Sequence, residues 1–253
     1  MVIRVSCYVF FLIVQLHVNV ANAGEVRVAV ASNFLSTLNE IAKSFEHDTG
    51  HDVTISSGST GKLYAQIIHG APFDVFFSAD EARPTLMEKE GLAVNGSRFT
   101  YAIGRLTLWS ADPTFIEGTG ELVLSKGRFS HIAIANPKTA PYGAAAEQTL
   151  KGLGVWRHIK GRIVQGENIG QTFQFVFSGN AEIGLVALAQ ALDPRRHGAG
   201  SRWNVPVNLY DPLHQQAVLL VNGQDNDVAQ AFLQYVQSPE ARSIIERFGY
   251  GFD

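Results

Sequence analysis

The chain has 253 residues, with 20 Lys and Arg against 23 Asp and Glu and a net charge of −3. That balance argues against nucleic acid or an anionic membrane as partner, and any anion must be held by local geometry and not by the overall field. The single cysteine, Cys7, lies in the leader described next, so the mature chain is without thiol catalysis, thiolate metal ligation or disulfides.

Arg4, the apolar run 5–20 and the small-residue exit Ala21-Asn22-Ala23 read as a secretory signal peptide, residues 1–23, with the mature chain starting at Gly24. The run is short for a membrane anchor. Cys7 lies too early in it for a lipoprotein. The remaining length suffices for two cores of about 100 residues each.

From Gly24 the pattern alternates strand and helix. Val26, Val28 and Val30 alternate with Arg27 and Ala29, a strand signal. Phe34, Leu38, Ile41, Ala42 and Phe45 then recur at helical spacing up to Thr49-Gly50. Residues 53–55 are a second strand. Leu63, Tyr64, Ile67 and Ile68 mark a second helix, stopped by Gly70-Ala71-Pro72. Residues 73–78 form a third strand and 81–91 a third helix. This βαβαβα order predicts a mainly parallel sheet with helices on both faces.

Residues 100–111 read as one long β segment broken at Gly104, able to carry the chain into a second domain. Strands are expected at 131–135, 162–164 and 181–188, with helices at 143–153 and 171–178. Residues 195–203 read as a loop. Residues 205–207 and 216–221 return the chain, and helices at 227–237 and 239–248 close it. Ser238 is placed to cap the last helix, with Pro239 in its first turn and Gly249 beyond its end. The expected fold is therefore α/β, a two-domain clamshell. Lobe 1 is 24–103 with 213–253, lobe 2 is 104–212, and two β crossovers form the hinge. Its cleft lies at the carboxyl ends of the strands.

Two junctions carry the functional signal: Ala31-Ser32-Asn33-Phe34 and Ser57-Gly58-Ser59-Thr60-Gly61. Each sets small polar side chains and free N–H groups at a helix N-terminus, an arrangement that binds anions. Taken alone, Ser32, Asn33, Ser59 and Thr60 read more readily as ordinary N-caps. Gly58 and Gly61 allow a closer backbone approach than capping needs. The spacing to Lys62-Leu63 rules out a Walker-type phosphate loop, and Lys62 is expected to face solvent. In the second half, Ala140-Pro141-Tyr142-Gly143 and Glu167-Asn168-Ile169-Gly170 open helices after strands. Tyr142 reads as a cleft donor or as a tyrosine packed at a domain edge. Glu167 and Asn168 also read as plain turn residues, and Asp74 and Asp80 as turn or capping residues. His47 and His51 are separated by the helix end, which argues against a metal site. No nucleophile elbow occurs.

The segments Ser57–Ile67 and Gly70–Asp80 closely resemble the periplasmic molybdate-binding proteins of ATP-driven importers. So do Ala31-Ser32-Asn33-Phe34, Asn136-Pro137 with Ala140-Pro141-Tyr142-Gly143, and Glu182–Ala187. The resemblance spans essentially the whole mature chain. It implies a two-domain periplasmic binding fold holding one molybdate or tungstate through hydroxyls and backbone amides. Carried over by position, the ligand-binding residues are Ser32, Asn33, Ser59, Thr60, Tyr142 and the backbone of Ile169. Some members place a tyrosine where this chain has Ala187. The resemblance further implies a non-catalytic, monomeric periplasmic receptor with a membrane permease as partner, no cofactor and no metal ligated directly by protein. The alternatives are the same fold serving sulfate, phosphate or chromate, or a clamshell sensor or enzyme ectodomain.

Overall fold

The computed structural model describes residues 23–196 and 200–252; the signal-peptide reading of 1–23 falls almost wholly outside them. The chain runs β1 (Glu25–Ala31), α1 (Leu35–Thr49), β2 (Asp52–Gly58), α2 (Thr60–Ile68), β3 (Val75–Ser78), α3 (Ala82–Lys89), β4 (Phe99–Gly104) and β5 (Leu106–Ser110). It continues through α4 (Gly120–Lys126), β6 (Ile132–Ala135), α5 (Pro141–Gly152), α6 (Trp156–Ile159), β7 (Ile163–Gly166), α7 (Ile169–Phe177), β8 (Ile183–Ala187) and α8 (Leu188–Ala191). It closes with β9 (Ser201–Asn204), β10 (Leu213–Leu219), α9 (Asp227–Val236) and α10 (Pro239–Arg247).

Two five-stranded sheets form, ordered β2-β1-β3-β10-β4 and β7-β6-β8-β5-β9. They share one design. In each, four strands run one way and the fourth in order, β10 or β5, runs antiparallel to both neighbours. The sheets are therefore mixed, although most strands share a direction. The reversed strand is the one that arrives from the other lobe. It enters at the carboxyl ends of its neighbours, with Leu213 opposite Gly104 and Leu106 opposite Ala187, and so must run back along them. Only Arg105 separates β4 from β5. The expected loop at 195–203 contains a strand, β9, paired to β5. Its exposed, polar Ser-Arg-Trp-Asn sequence is that of a sheet edge and gives little periodic signal.

Side-chain alternation sets both faces of each sheet. Val26, Val28 and Val30 pack with Leu38 and Phe45 of α1, Phe232 of α9 and Ile244 of α10. Ala29 and Phe76 face Leu63 of α2 and Met87 of α3. In the second sheet Ile132 and Ile134 pack with α5, whereas Ala133 faces Phe173 and Val176 of α7. Phe34 is fully buried, 4.5 Å from the Tyr101 ring and 5.4 Å from that of Tyr250. It thereby anchors the turn after β1. Ser238 caps α10 by accepting from the Ala241 N–H at 3.2 Å.

Beyond α8, Asp193 is buried and accepts from the Arg195 backbone N–H at 3.1 Å, Nε at 2.9 Å and Nη2 at 2.7 Å. Burial pushes its carboxyl up, but the Arg195 hydrogen bonds outweigh this and hold its pKa at about 2. Because the folded value lies below the unfolded value of about 3.9, this stabilisation is present above that pH and is lost as pH falls toward 2. Asp193→Asn is expected to lower stability at pH 7 by about 1–2 kcal/mol, after discounting for the half-exposed arginine. Thermal melts of the two proteins should converge between about pH 4 and pH 2.

Candidate functional site

Parallel neighbours bring their carboxyl ends to one edge, and with them the junctions that follow. The turn after β1, the start of α2, the start of α5 and the start of α7 meet around one small cavity of about 10 Å³. Its wall contains Ser32, Asn33, Ser59, Thr60, Tyr142 and Ile169, with Ala31, Gly58, Ala79, Ala140 and Pro141 completing it. All six residues singled out in the sequence thus border the same space, two junctions from each sheet. Neither Lys nor Arg lines it.

Each donor is held differently. Ser59 precedes α2 but makes no capping hydrogen bond, and its hydroxyl is buried with no partner. The capping reading therefore does not hold for Ser59. Thr60 Oγ1 accepts from the Ala79 N–H at 3.0 Å, so its own hydrogen is left for another acceptor. Ser32 does not cap α1 either; Phe34 holds that position. Its hydroxyl accepts from the Gly170 N–H at 3.2 Å and donates to Asn168 Oδ1 at 3.2 Å. Asn168 is a true cap, accepting from the Gln171 N–H at 2.9 Å. With the Thr172 N–H bonded to Asn168 O, the Ile169 N–H is what that first turn leaves over.

Asn33 lines the cavity, but its amide hydrogens are turned elsewhere. Nδ2 donates to Gln215 Oε1 at 2.7 Å and to the Tyr250 hydroxyl at 3.2 Å. Tyr142 is 1 % exposed and its oxygen accepts from Gln215 Nε2 at 3.1 Å. Burial first, then the neighbouring Tyr250, holds the Tyr142 phenol well above its ordinary pKa, with the Gln215 side chain and then the Arg105 backbone N–H acting the other way. Burial does the same to Tyr101 and Tyr250. All three stay protonated as neutral donors throughout the physiological range.

The lobes touch across the cleft. Gly61 N–H donates to Thr139 O at 2.8 Å, and Ser32 meets Gly170 and Asn168 as described. Lys62 pairs with Glu167 of the opposite lobe at the rim. Lys62 is thus not directed simply to solvent, and Glu167 is more than a turn residue. Asp74 and Asp80 keep turn duties: Asp74 accepts from the Arg27 N–H at 2.7 Å and from Asn222 at 3.1 Å, and Asp80 caps the approach to α3 through the Arg83 N–H at 3.1 Å. Gln215, Tyr101 and Tyr250 were not singled out by the sequence reading. Gln215 lies in the polar run His214-Gln215-Gln216 of β10, which by itself marks no site.

A family model described as bacterial extracellular solute-binding protein matches residues 26–251. The chain is 52% identical over 231 residues to the molybdate-binding protein ModA of Azotobacter vinelandii, covering 91% of each. It is 46% identical over 230 residues to ModA of Rhodobacter capsulatus, covering 91% of this chain and 89% of that protein. Among solved structures it matches the Azotobacter vinelandii periplasmic molybdate-binding protein with a TM-score of 0.87 and 44% identity, over 90% of this chain and 99% of that one.

Proposed function

This chain belongs to the bacterial extracellular solute-binding proteins, and from that premise we propose that it captures molybdate or tungstate in the periplasm and passes it to the membrane permease of an ATP-driven importer. The observation that carries the reading is the Ser59 hydroxyl, buried and unpartnered, in a cavity that no charged side chain lines. A buried dianion without partners is prohibitively unfavourable. Fixed hydroxyls and first-turn amides offset that loss through charge-assisted hydrogen bonds, helped by the positive ends of α2, α5 and α7. Charged side chains are not needed, and a receptor must release its cargo.

Ser59, Thr60, Tyr142 and the Ile169 N–H are the proposed donors, while Ser32, whose own hydrogen goes to Asn168 Oδ1, holds the first turn of α7 by accepting from the Gly170 N–H. Asn33 acts through the wall and its neighbours, its amide hydrogens being committed. The oxyanion is cargo, held with no cofactor, and the role is binding and not catalysis. Relatives named as molybdate-binding, one of them periplasmic, support both ligand and location.

Calorimetry of the mature protein with molybdate, tungstate, sulfate and phosphate tests this. Tight one-to-one binding of molybdate or tungstate, with sulfate and phosphate much weaker, is expected. Tight sulfate binding with no molybdate response overturns the reading.

A further inference from the structure

Behind the cavity lies a buried hydrogen-bond chain that crosses the hinge. Its hydrogen positions follow from one fixed point, the Asn33 backbone carbonyl, which can only accept. The Tyr250 hydroxyl therefore donates to it at 2.9 Å. With that hydrogen used, Tyr250 oxygen can only accept from the Asn33 side chain at 3.2 Å, so the Asn33 amide must present its NH2. The same NH2 then requires an acceptor 2.7 Å away, which fixes the Gln215 amide with Oε1 toward Asn33. Tyr101 does not set this orientation: its single hydrogen is shared between Gln215 Oε1 and Ser78 O, each 3.0 Å away. Gln215 Nε2 consequently faces Tyr142 and donates to its oxygen. The lone hydrogen of Tyr142 is left to the cavity that Tyr142 lines.

We infer that Gln215 is a positioning residue that makes Tyr142 a one-way donor, so that the ligand oxygen Tyr142 meets must be unprotonated. Gln215 is wholly buried, on β10 at its register shift opposite β4, whereas Tyr142 belongs to α5 of the other lobe. Gly104 makes their meeting possible, since a Cβ there would lie 2.4 Å from both Gln215 Nε2 and the Tyr142 hydroxyl. A free hydroxyl can rotate to accept from a P–OH group; one that already receives an N–H cannot do so without losing that bond. Phosphate near neutral pH carries at least one such hydrogen, and molybdate carries none. The Gln215 bond thus converts a permissive hydroxyl into a selective one.

This inference rests on the oxyanion-binding reading above, and the test separates the two. Calorimetry with molybdate and inorganic phosphate would be run on the parent, Gln215→Met, Tyr142→Phe and the double variant, with Gln215→Glu as a second probe that reverses the bond and draws the Tyr142 hydrogen away from the cavity. Gln215→Met is expected to weaken molybdate by about tenfold and to raise phosphate relative to molybdate by about tenfold. In the Tyr142→Phe background the same change should shift molybdate affinity by less than about twofold, because its effect passes through the absent hydroxyl. Gln215→Glu should weaken molybdate at least as much. Equal losses in both backgrounds, or an unchanged phosphate-to-molybdate ratio, overturn the inference while leaving the receptor reading intact. A parent protein that binds no molybdate overturns the receptor reading instead.

Discussion

Ser59→Ala is expected to make the ligand-free protein more stable while making it a poorer receptor. The Ser59 hydroxyl is buried without a partner, and a buried unsatisfied polar group costs about 1–3 kcal/mol. Removing it relieves that penalty. A melting temperature raised by a few degrees is the expected reading for a chain of this size, at about 2–4 °C per kcal/mol. Molybdate affinity should fall about 10- to 100-fold, the value of one hydrogen bond to a charged group.

Thr60→Ala supplies the contrast. Thr60 Oγ1 also satisfies the buried Ala79 N–H, so its removal should lower both affinity and melting temperature, and Thr60→Ser should restore both. Opposite stability changes with parallel affinity losses would mark Ser59 as a group kept for the ligand. A lower melting temperature for Ser59→Ala would mean that its hydroxyl has a structural partner after all.

The same two residues show what a sequence can disclose. Ser59 and Thr60 stand between a strand pattern and a helix pattern, and those two periodicities alone place them at the carboxyl edge of a parallel sheet. Ser32, Tyr142 and Ile169 were legible for the same reason, since each sits at a junction whose position is set locally. Resemblance to a family then tied the junctions together. Gln215 lay beyond such reasoning. Its partner Asn33 is 182 positions away, and glutamine in a strand is by itself uninformative. Lys62 and Glu167 were separately readable as surface charges, but their pairing depends on how the lobes close. The strand reversal of β10 and β5 is equally a property of entry direction: Leu213 begins level with the end of β4 because the chain returns through the hinge.

Closure itself gives the second large effect. Gly61 occupies the first turn of α2 with ordinary helical geometry, so nothing in its own backbone demands glycine, and alanine would favour the helix by up to about 1 kcal/mol. The demand comes from the other lobe. A Cβ at Gly61 would lie 3.1 Å from the Cα and carbonyl oxygen of Thr139 and 3.4 Å from its Cβ, against backbone that cannot rotate aside. Gly170 mirrors this from lobe 2, where a Cβ would come within 3.3 Å of Ser32 Cβ. Each lobe thus presents a glycine where the other lobe's backbone or turn must land.

Gly61→Val should therefore leave folding and melting close to the parent while holding the lobes apart. Overpacking of about 1–3 kcal/mol at a closed interface translates into an affinity loss of about 10- to 100-fold. Binding and closure are linked, so a ligand shifts the equilibrium only by its preference for the closed form. Small-angle scattering separates this from damage to the donors. The parent should contract when molybdate is added, whereas Gly61→Val should contract less at equal saturation. Ser59→Ala, once saturated, should contract like the parent. If Gly61→Val binds and contracts as the parent does, the Gly61–Thr139 contact does not limit closure.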